Sequence, residues 1–303
     1  MLSFFRTPAV SSEFLSYLSI FGKSYGTVEE LQYRYGIWSE RDKFIKSWDN
    51  GHEVAHNKFS DMTPEEILVK NHKNRKNEMP TLLNTTDLPE SVNWVDAGAV
   101  NPPLNQGLCR AAHTFAATTC IEGAYFLKYG SLFQLSQQDC VDCDSESFGC
   151  NGGYSENCLS YATAGISQEK DYPWKGSKQS CFVDYSKQVA PVHKVVFVQG
   201  KSASQLKAAI AQGPTAVSVN AADYGFLHYF GGIISDPSTC GTAVTHEVAA
   251  VGYGSEDGME YYLIKNSWGA DWGENGYVRI MVGGEDDNGI CGVQEIGRYP
   301  EMK

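Results

Sequence analysis

All nine cysteines of this 303-residue chain lie at or beyond Cys109. A cysteine-free beginning followed by a cysteine-dense remainder points to a disulfide-bonded body in an oxidising compartment, preceded by a segment that needs no covalent staples. Cys140 and Cys143 form a lone C-x-x-C, but no second pair or spaced His pair follows at zinc-finger distance. A metal centre is therefore not expected, nor is any cofactor.

Charge divides the chain at the same place. Residues 1–87 carry 11 basic and 12 acidic side chains, whereas residues 88–303 carry 13 and 24, so the net charges are −1 and −11. No Lys/Arg run gathers a phosphate-binding face, which argues against nucleic acid as a partner. No apolar run approaches the ~18 residues of a membrane span. Arg6 interrupts the opening apolar residues before they reach the ~7 to 15 of a secretory signal, so no signal peptide is evident in this chain. Disorder is excluded for the whole by 42% hydrophobic residues with 17 Tyr, 14 Phe and 6 Trp.

Residues 11–71 read as helical. Thr27-Val-Glu-Glu30 is a capping box, and Leu31, Trp38 and Ile45 recur every seven residues with Tyr35 and Trp48 near the same face. One amphipathic helix to about Trp48 follows, ended by Gly51. A short extended piece is expected over Val54 to Phe59, and Thr63-Pro-Glu-Glu66 opens another helix. Residues 71–87 are polar and aperiodic, marking a cleavable linker, with a glycosylation sequon at Asn84. Beyond it the pattern predicts a helix from about Ala111 to Tyr129 stopped by Gly130, a Cys- and Gly-rich loop region to about Gly153, and late strands near 216–220, 261–265 and 277–281. The fold class is α+β, helices first and strands later.

Three segments carry the chemistry: Asn105-Gln-Gly-Leu-Cys-Arg-Ala-Ala-His-Thr-Phe115, Val244-Thr-His-Glu-Val248, and Leu263-Ile-Lys-Asn-Ser-Trp-Gly269. Together with Gly149-Cys-Asn-Gly-Gly153 they resemble the papain-like cysteine proteases, in particular cathepsin L-like zymogens. His246 and Asn266 lie 134 and 154 residues beyond position 112, close to that family's separations. Glu30, Arg34, Trp38 and Ile45 match the family's spaced prosegment motif, with Arg41 and Asp49 departing from it. Ala55-x-Asn57-x-Phe59-x-Asp61 matches the second motif, with Ala55 in place of Gly.

The resemblance implies a two-lobed body at residues 88–303, one lobe helical and one a β-barrel. Residues 1–87 would form an inhibitory prosegment crossing the cleft in the direction opposite to substrate. It implies a Cys-His-Asn mechanism. A thiol at a helix N-terminus, paired with His246, is stabilised as thiolate below its ordinary pKa of about 8.5. Asn266 would orient the imidazole, Trp268 would shield it, and Gln106 with the N–H of residue 112 would hold the oxyanion. Gly152 and Gly153 would pair with an extended substrate, while Tyr154, Val244, Glu247 and Ile296 would line the pocket for the P2 side chain. Glu247 stands where a small residue is usual: turned inward it favours a basic P2, turned to solvent it leaves an apolar preference. Arg110 replaces a Gly beside the S1 site and could recruit an acidic P1 residue. By the same resemblance Cys109 pairs with Cys150, Cys143 with Cys181 and Cys240 with Cys291, leaving Cys120, Cys140 and Cys158. The default for those three is a Cys120–Cys158 bridge and one buried thiol. Implied partners are protein and peptide substrates, the chain's own prosegment and cystatin-like inhibitors. The implied location is lysosomal, endosomal or secreted.

The nucleophile is missing: position 112 is Ala. Arg110 and His113 depart on either side of it. Either a Cys-to-Ala replacement interrupts an otherwise intact machinery, which the retained Gln106, His246 and Asn266 favour, or the chain is a naturally inactive papain-fold module for binding or decoy.

Overall fold

The computed structural model describes residues 10–68 and 78–303. The first segment folds around a small aromatic core. Helix α1 (Ser12–Ile20) and helix α2 (Val28–Ser47) cross at Phe14, Tyr17 and Trp38, all buried, so the seven-residue stripe does what its period implies. Thr27 caps α2 through its side chain, which accepts from the Glu30 N–H, the Thr27 half of the expected capping box. Strand β1 (Glu53–Val54) is shorter than the expected extended piece because residues 57–62 turn back on themselves, with Asn57 accepting from the Phe59 N–H. Helix α3 (Pro64–Ile67) follows with both hydrogen bonds of its capping box present.

Asp61 is the polar centre of this segment. Fully buried, it accepts from Lys23 at 2.9 Å and from the Tyr25 hydroxyl, while Arg34 binds the Asp61 carbonyl and forks onto Glu66 with two bonds of 2.8 Å. These partners all belong to the segment itself. Asp61→Ala should therefore loosen the segment internally by about 3 kcal/mol, because Lys23 and Tyr25 lose a buried charged acceptor. Faster hydrogen exchange from Tyr17 to Arg34, largely recovered by Asp61→Asn, is the expected result; unchanged exchange would deny Asp61 this role.

The rest of the chain builds two cores. The central helix α4 (Ala112–Tyr129) is buried on every side over its first twelve residues, and Gly130 ends it at φ 74°, a left-handed conformation that glycine adopts without strain. With α5 (Gln137–Cys143) and α6 (Ser155–Tyr161) it encloses a core around Ile121, Leu135, Leu159 and Ile166. The region to Gly153, expected as loop, thus contains α5.

The second core surrounds Val217, Phe226, Ile264, Trp268, Trp272 and Val278, and Phe59, Ile67 and Leu68 of the first segment pack into it. It is backed by an eight-stranded sheet. The strands are β2 (Val92–Asn93), β3 (Val192–Val198), β4 (Thr215–Val219), β6 (Ile233–Ile234), β7 (His246–Glu256), β8 (Met259–Lys265), β9 (Tyr277–Met281) and β10 (Gly297–Met302). Their order is β3-β10-β4-β7-β8-β9-β6, with β2 on β7, and every pairing is antiparallel except β6 with β9. Helices α7 (Ala203–Gln212) and α8 (Tyr224–Leu227) interrupt the run of strands. Strand β5 (Tyr229–Gly231) lies outside the large sheet and pairs with β1, docking the first segment on the body.

Four disulfides form. Cys109–Cys150, Cys143–Cys181 and Cys240–Cys291 are as the resemblance implies. The fourth, Cys140–Cys158, corrects the expected Cys120–Cys158 bridge: α5 and α6 bring the Cα atoms of 140 and 158 to 5.6 Å. Cys120, inside α4, is the buried free thiol. Of the expected linker at residues 71–87, residues 71–77 lie outside the described residues. From residue 78 the chain is tied to the body, with Thr81 donating to Phe197 at 2.7 Å and Leu83 bonded both ways with Gln205.

Candidate active site

Position 112 opens α4, and the residue before it, Ala111, supplies no side-chain cap. The Thr114 N–H is taken by the Ala111 carbonyl, and the positive end of the helix dipole faces whatever sits at the helix start. Across the cleft, His246 begins β7. The β7–β8 register sets Ala249 opposite Lys265 and so carries Asn266, just past β8, to the level of the imidazole. His246 Nε2 lies 2.8 Å from Asn266 Oδ1, which also accepts from the Ser267 N–H at 2.8 Å. With Nε2 donating to that carbonyl oxygen, Nδ1 is the nitrogen left for chemistry. Trp268 covers the pair, its ring centroid 4.8 Å from the imidazole. Burial pushes the His246 pKa down to about 4, against a smaller upward pull from Asn266.

Gln106 is positioned by Ser267 twice. Its N–H donates to the Ser267 carbonyl at 2.8 Å, and its Oε1 accepts from the Ser267 hydroxyl at 2.6 Å. The Nε2 amide is then the end of Gln106 that Ser267 does not use. Ser267 was not singled out from sequence, although its place between Asn266 and Trp268 was a usable signal.

Gln106, Ala112, Gly152, Gly153, Tyr154, Val244, His246 and Glu247 line one cleft together. Asn266 and Trp268 stand buried behind it, and partly buried Ile296 is absent from its described lining. His113, buried beside position 112, fits against Gly153: a Cβ there would meet His113 Nε2 at 2.8 Å and Ser147 Oγ at 2.6 Å. Gly152, at φ 99°, and Gly153 therefore keep this edge as bare backbone. Arg110 reaches the rim, donating to Asn151 Oδ1 and to the Glu65 carbonyl, each at 3.2 Å.

Glu247 lines the cleft and is not turned to solvent. Only 8% exposed, it accepts from Ser155 Oγ at 2.6 Å and Ser218 Oγ at 2.7 Å, and pairs with Arg298 at 3.2 Å. Arg298 is fully buried and also meets Glu156 at 2.6 Å. Nothing in the sequence marked Arg298 or Glu156, because an isolated Arg in a strand and a Glu in a helix carry no pattern.

The same cleft is lined by Ile67 and Leu68 of the first segment, each 5% exposed. Phe59 packs edge-on against Trp268 at 5.0 Å, Asn57 donates to the Leu227 carbonyl at 2.8 Å, and Lys58 binds Asp271 at 3.0 Å and the Trp268 carbonyl. Arg41, a departure from the prosegment motif, lies buried 3.5 Å above the ring of Tyr224 in the body.

Residues 88–300 match the papain family cysteine protease, and residues 14–67 match the cathepsin propeptide inhibitor domain (I29). Papaya proteinase 4 of Carica papaya is 38% identical over 95% of this chain and 86% of its own length. Among solved structures, the recombinant stem bromelain precursor superposes with a TM-score of 0.87 at 29% identity, covering 96% of this chain and 98% of its own. The digestive procathepsin L 3 of Tenebrio molitor larval midgut gives 0.84 at 30% identity, covering 95% and 97%. The chain belongs to the papain family of cysteine proteases, in the zymogen form that carries the family's inhibitory propeptide.

Proposed function

We infer that residues 1–87 act as the inhibitory prosegment and residues 88–303 as the catalytic body of a cathepsin L-like endopeptidase whose nucleophile position is held by Ala112. The observation that carries this reading is the convergence of Gln106, Ala112 and His246 in one cleft that Ile67 and Leu68 also enter. With a cysteine at 112, its thiolate adds to the scissile carbonyl carbon, and the oxyanion is received by Gln106 Nε2 and the N–H of residue 112. The C–N bond breaks as His246 Nδ1 gives its proton to the departing amine. Water, deprotonated by the same nitrogen, then cleaves the thioester. Alanine has no atom that can attack, so the chain as it stands stops at substrate binding.

Retention of Gln106, His246, Asn266 and the clasping Ser267 favours a Cys-to-Ala replacement over a binding or decoy module. The cysteine-rich body suits an oxidising compartment, secreted, lysosomal or endosomal, where peptide substrates and cystatin-like inhibitors would be met.

The test is chemical labelling. Ala112→Cys, freed of its first segment, should take up one equivalent of a thiol-directed epoxide, because the other free thiol, Cys120, is fully buried with its pKa pushed above the ordinary thiol range. Ala112→Cys/His246→Ala should label far more slowly. Equal labelling of the two would mean that His246 does not activate the thiol.

A further inference from the structure

The first segment seats an ammonium group on the body beside the tryptophan that covers His246. Lys58 Nζ donates to Asp271 Oδ1 at 3.0 Å and to the Trp268 carbonyl, while Ile67 and Leu68 line the cleft with Gly152, Gly153 and Val244. Both acceptors belong to one turn of the body, and that turn is fixed at each end. The Gln106 N–H donates to the Ser267 carbonyl at 2.8 Å and the Gly269 N–H to the Leu104 carbonyl at 2.9 Å, so residues 104–106 hold its beginning. Buried Trp272 holds its end, with Nε1 donating to the Leu227 carbonyl at 3.1 Å. Between them Gly269 stands at φ 83°, where a Cβ would meet Asp271 Oδ1 at 2.8 Å. Glycine thus leaves the room in which the carboxylate lies back over the turn.

The described residues include the whole of 88–303, and among them no Lys or Arg of the body pairs with Asp271. Its cation comes from the segment that must leave. Even with Lys58 docked, the Asp271 side chain is 61% exposed, so removal of the segment opens the carboxylate and the neighbouring carbonyl to another ligand.

Resting on the endopeptidase reading above, in which His246 hands its proton to the departing amine, we propose that Asp271 and the Trp268 carbonyl form a subsite for a Lys or Arg side chain on the leaving-group side of the cleaved bond, filled by Lys58 until the segment is removed. The substrate cation replaces Lys58 bond for bond, with one charge-assisted hydrogen bond to the carboxylate and one to the carbonyl. A turn fixed at both ends presents the two acceptors without further ordering. Because the carboxylate is open to water, the preference is modest.

The chain is folded whole as Ala112→Cys, freed of its first segment by limited proteolysis, and assayed on peptides that share one acyl half and carry Lys or the uncharged norleucine at each leaving-group position in turn. At one position kcat/KM should favour Lys by about three- to fivefold, the scale of an exposed ion pair, and the ratio should shrink with added salt. Asp271→Asn should bring the ratio toward unity, Asp271→Glu should retain it, and Asp271→Lys should instead favour Glu over Gln at that position. A residue that only shaped the turn would not make the preferred charge follow its own sign. In parallel, equilibrium binding of the same peptides to the Ala112 body reads the preference without turnover.

A revertant that binds Lys peptides preferentially but hydrolyses nothing would defeat the endopeptidase reading and leave the subsite standing. Hydrolysis or binding with no Lys preference at any leaving-group position would defeat the subsite alone. A preference that survives both Asp271→Asn and Asp271→Lys would assign it to other groups and overturn the proposal.

Discussion

Ala112→Cys is expected to raise peptide hydrolysis by the freed body roughly 10⁶-fold, the scale on which losing a nucleophile or its base disables enzymes that work as such a unit. The gain depends on what already surrounds position 112. The start of α4 has no side-chain cap, His246 is oriented through Nε2 by Asn266, and Gln106 is held by Ser267 with its amide unspent. In the chain as it stands, burial keeps His246 neutral above about pH 4. A thiolate alongside, and removal of Ile67 and Leu68 from the cleft, should both favour the imidazolium and draw its pKa upward. In this revertant Gln106→Ala should cost about 10²- to 10³-fold in kcat, with a smaller effect on KM, because the amide acts on charge that develops in the transition state. Initial rates on a fluorogenic peptide decide the matter. A revertant that labels with the epoxide yet hydrolyses nothing would show that the oxyanion site is not formed.

Binding of the separate 1–87 segment to this body should weaken by about 100-fold or more between pH 7 and pH 4, and histidines account for the change. The structure places Asp61 inside the segment, bonded to Lys23 and Tyr25 rather than to the body. At the junction with the body stand His52 and His56 from the segment and His228 from the body. Burial lowers all three pKa values, and His228, with Arg41 and His56 as further repulsive neighbours, falls to about 3. The remaining charges there pull the other way but do not prevail: Asp42 bonds His56 at 3.2 Å, with Lys46 opposing, and Asp236 acts on His52.

A histidine whose docked pKa is depressed resists protonation only while docked. Its contribution is complete above the free value of about 6.5 and is lost progressively as pH falls toward the docked value, at about 1.4 kcal/mol per pH unit for each such group. For His228 the window runs from about 6.5 down to about 3. The carboxylate Glu66, lowered by Arg34, is lost only at more acidic pH. Inhibition of the revertant by the segment, measured at half-unit steps, should therefore decline already between pH 6.5 and 5, and His228→Leu should flatten that part of the curve. A decline confined to below about pH 4.5 would return the effect to the carboxylates.

Much of the molecule was legible in one dimension because its determinants are local. The Thr27 cap, the capping box at Thr63, the Trp38 packing and the Gly130 stop each act within a turn or two of helix, and each is found where its residues predict. The candidate catalytic residues were legible for a different reason: Gln106, His246 and Asn266 sit in runs whose order and spacing resemble one family. Helices α5 and α7 escaped notice because short helices amid cysteines or strands have too little periodicity to stand out.

What the chain by itself determined is thus its class and several of the residues that line the cleft, among them Gln106, Ala112 and His246. The tertiary structure decided the rest, because those outcomes depend on residues remote in sequence arriving at one point. Cys140 took Cys158 because α5 and α6 lie side by side. Glu247 lost its freedom to choose between pocket and solvent because Ser155, Ser218 and Arg298 close on it from three separate elements. The His228 pKa is held down because its burial and the approach of Arg41 bring together residues of body and segment that are far apart in sequence.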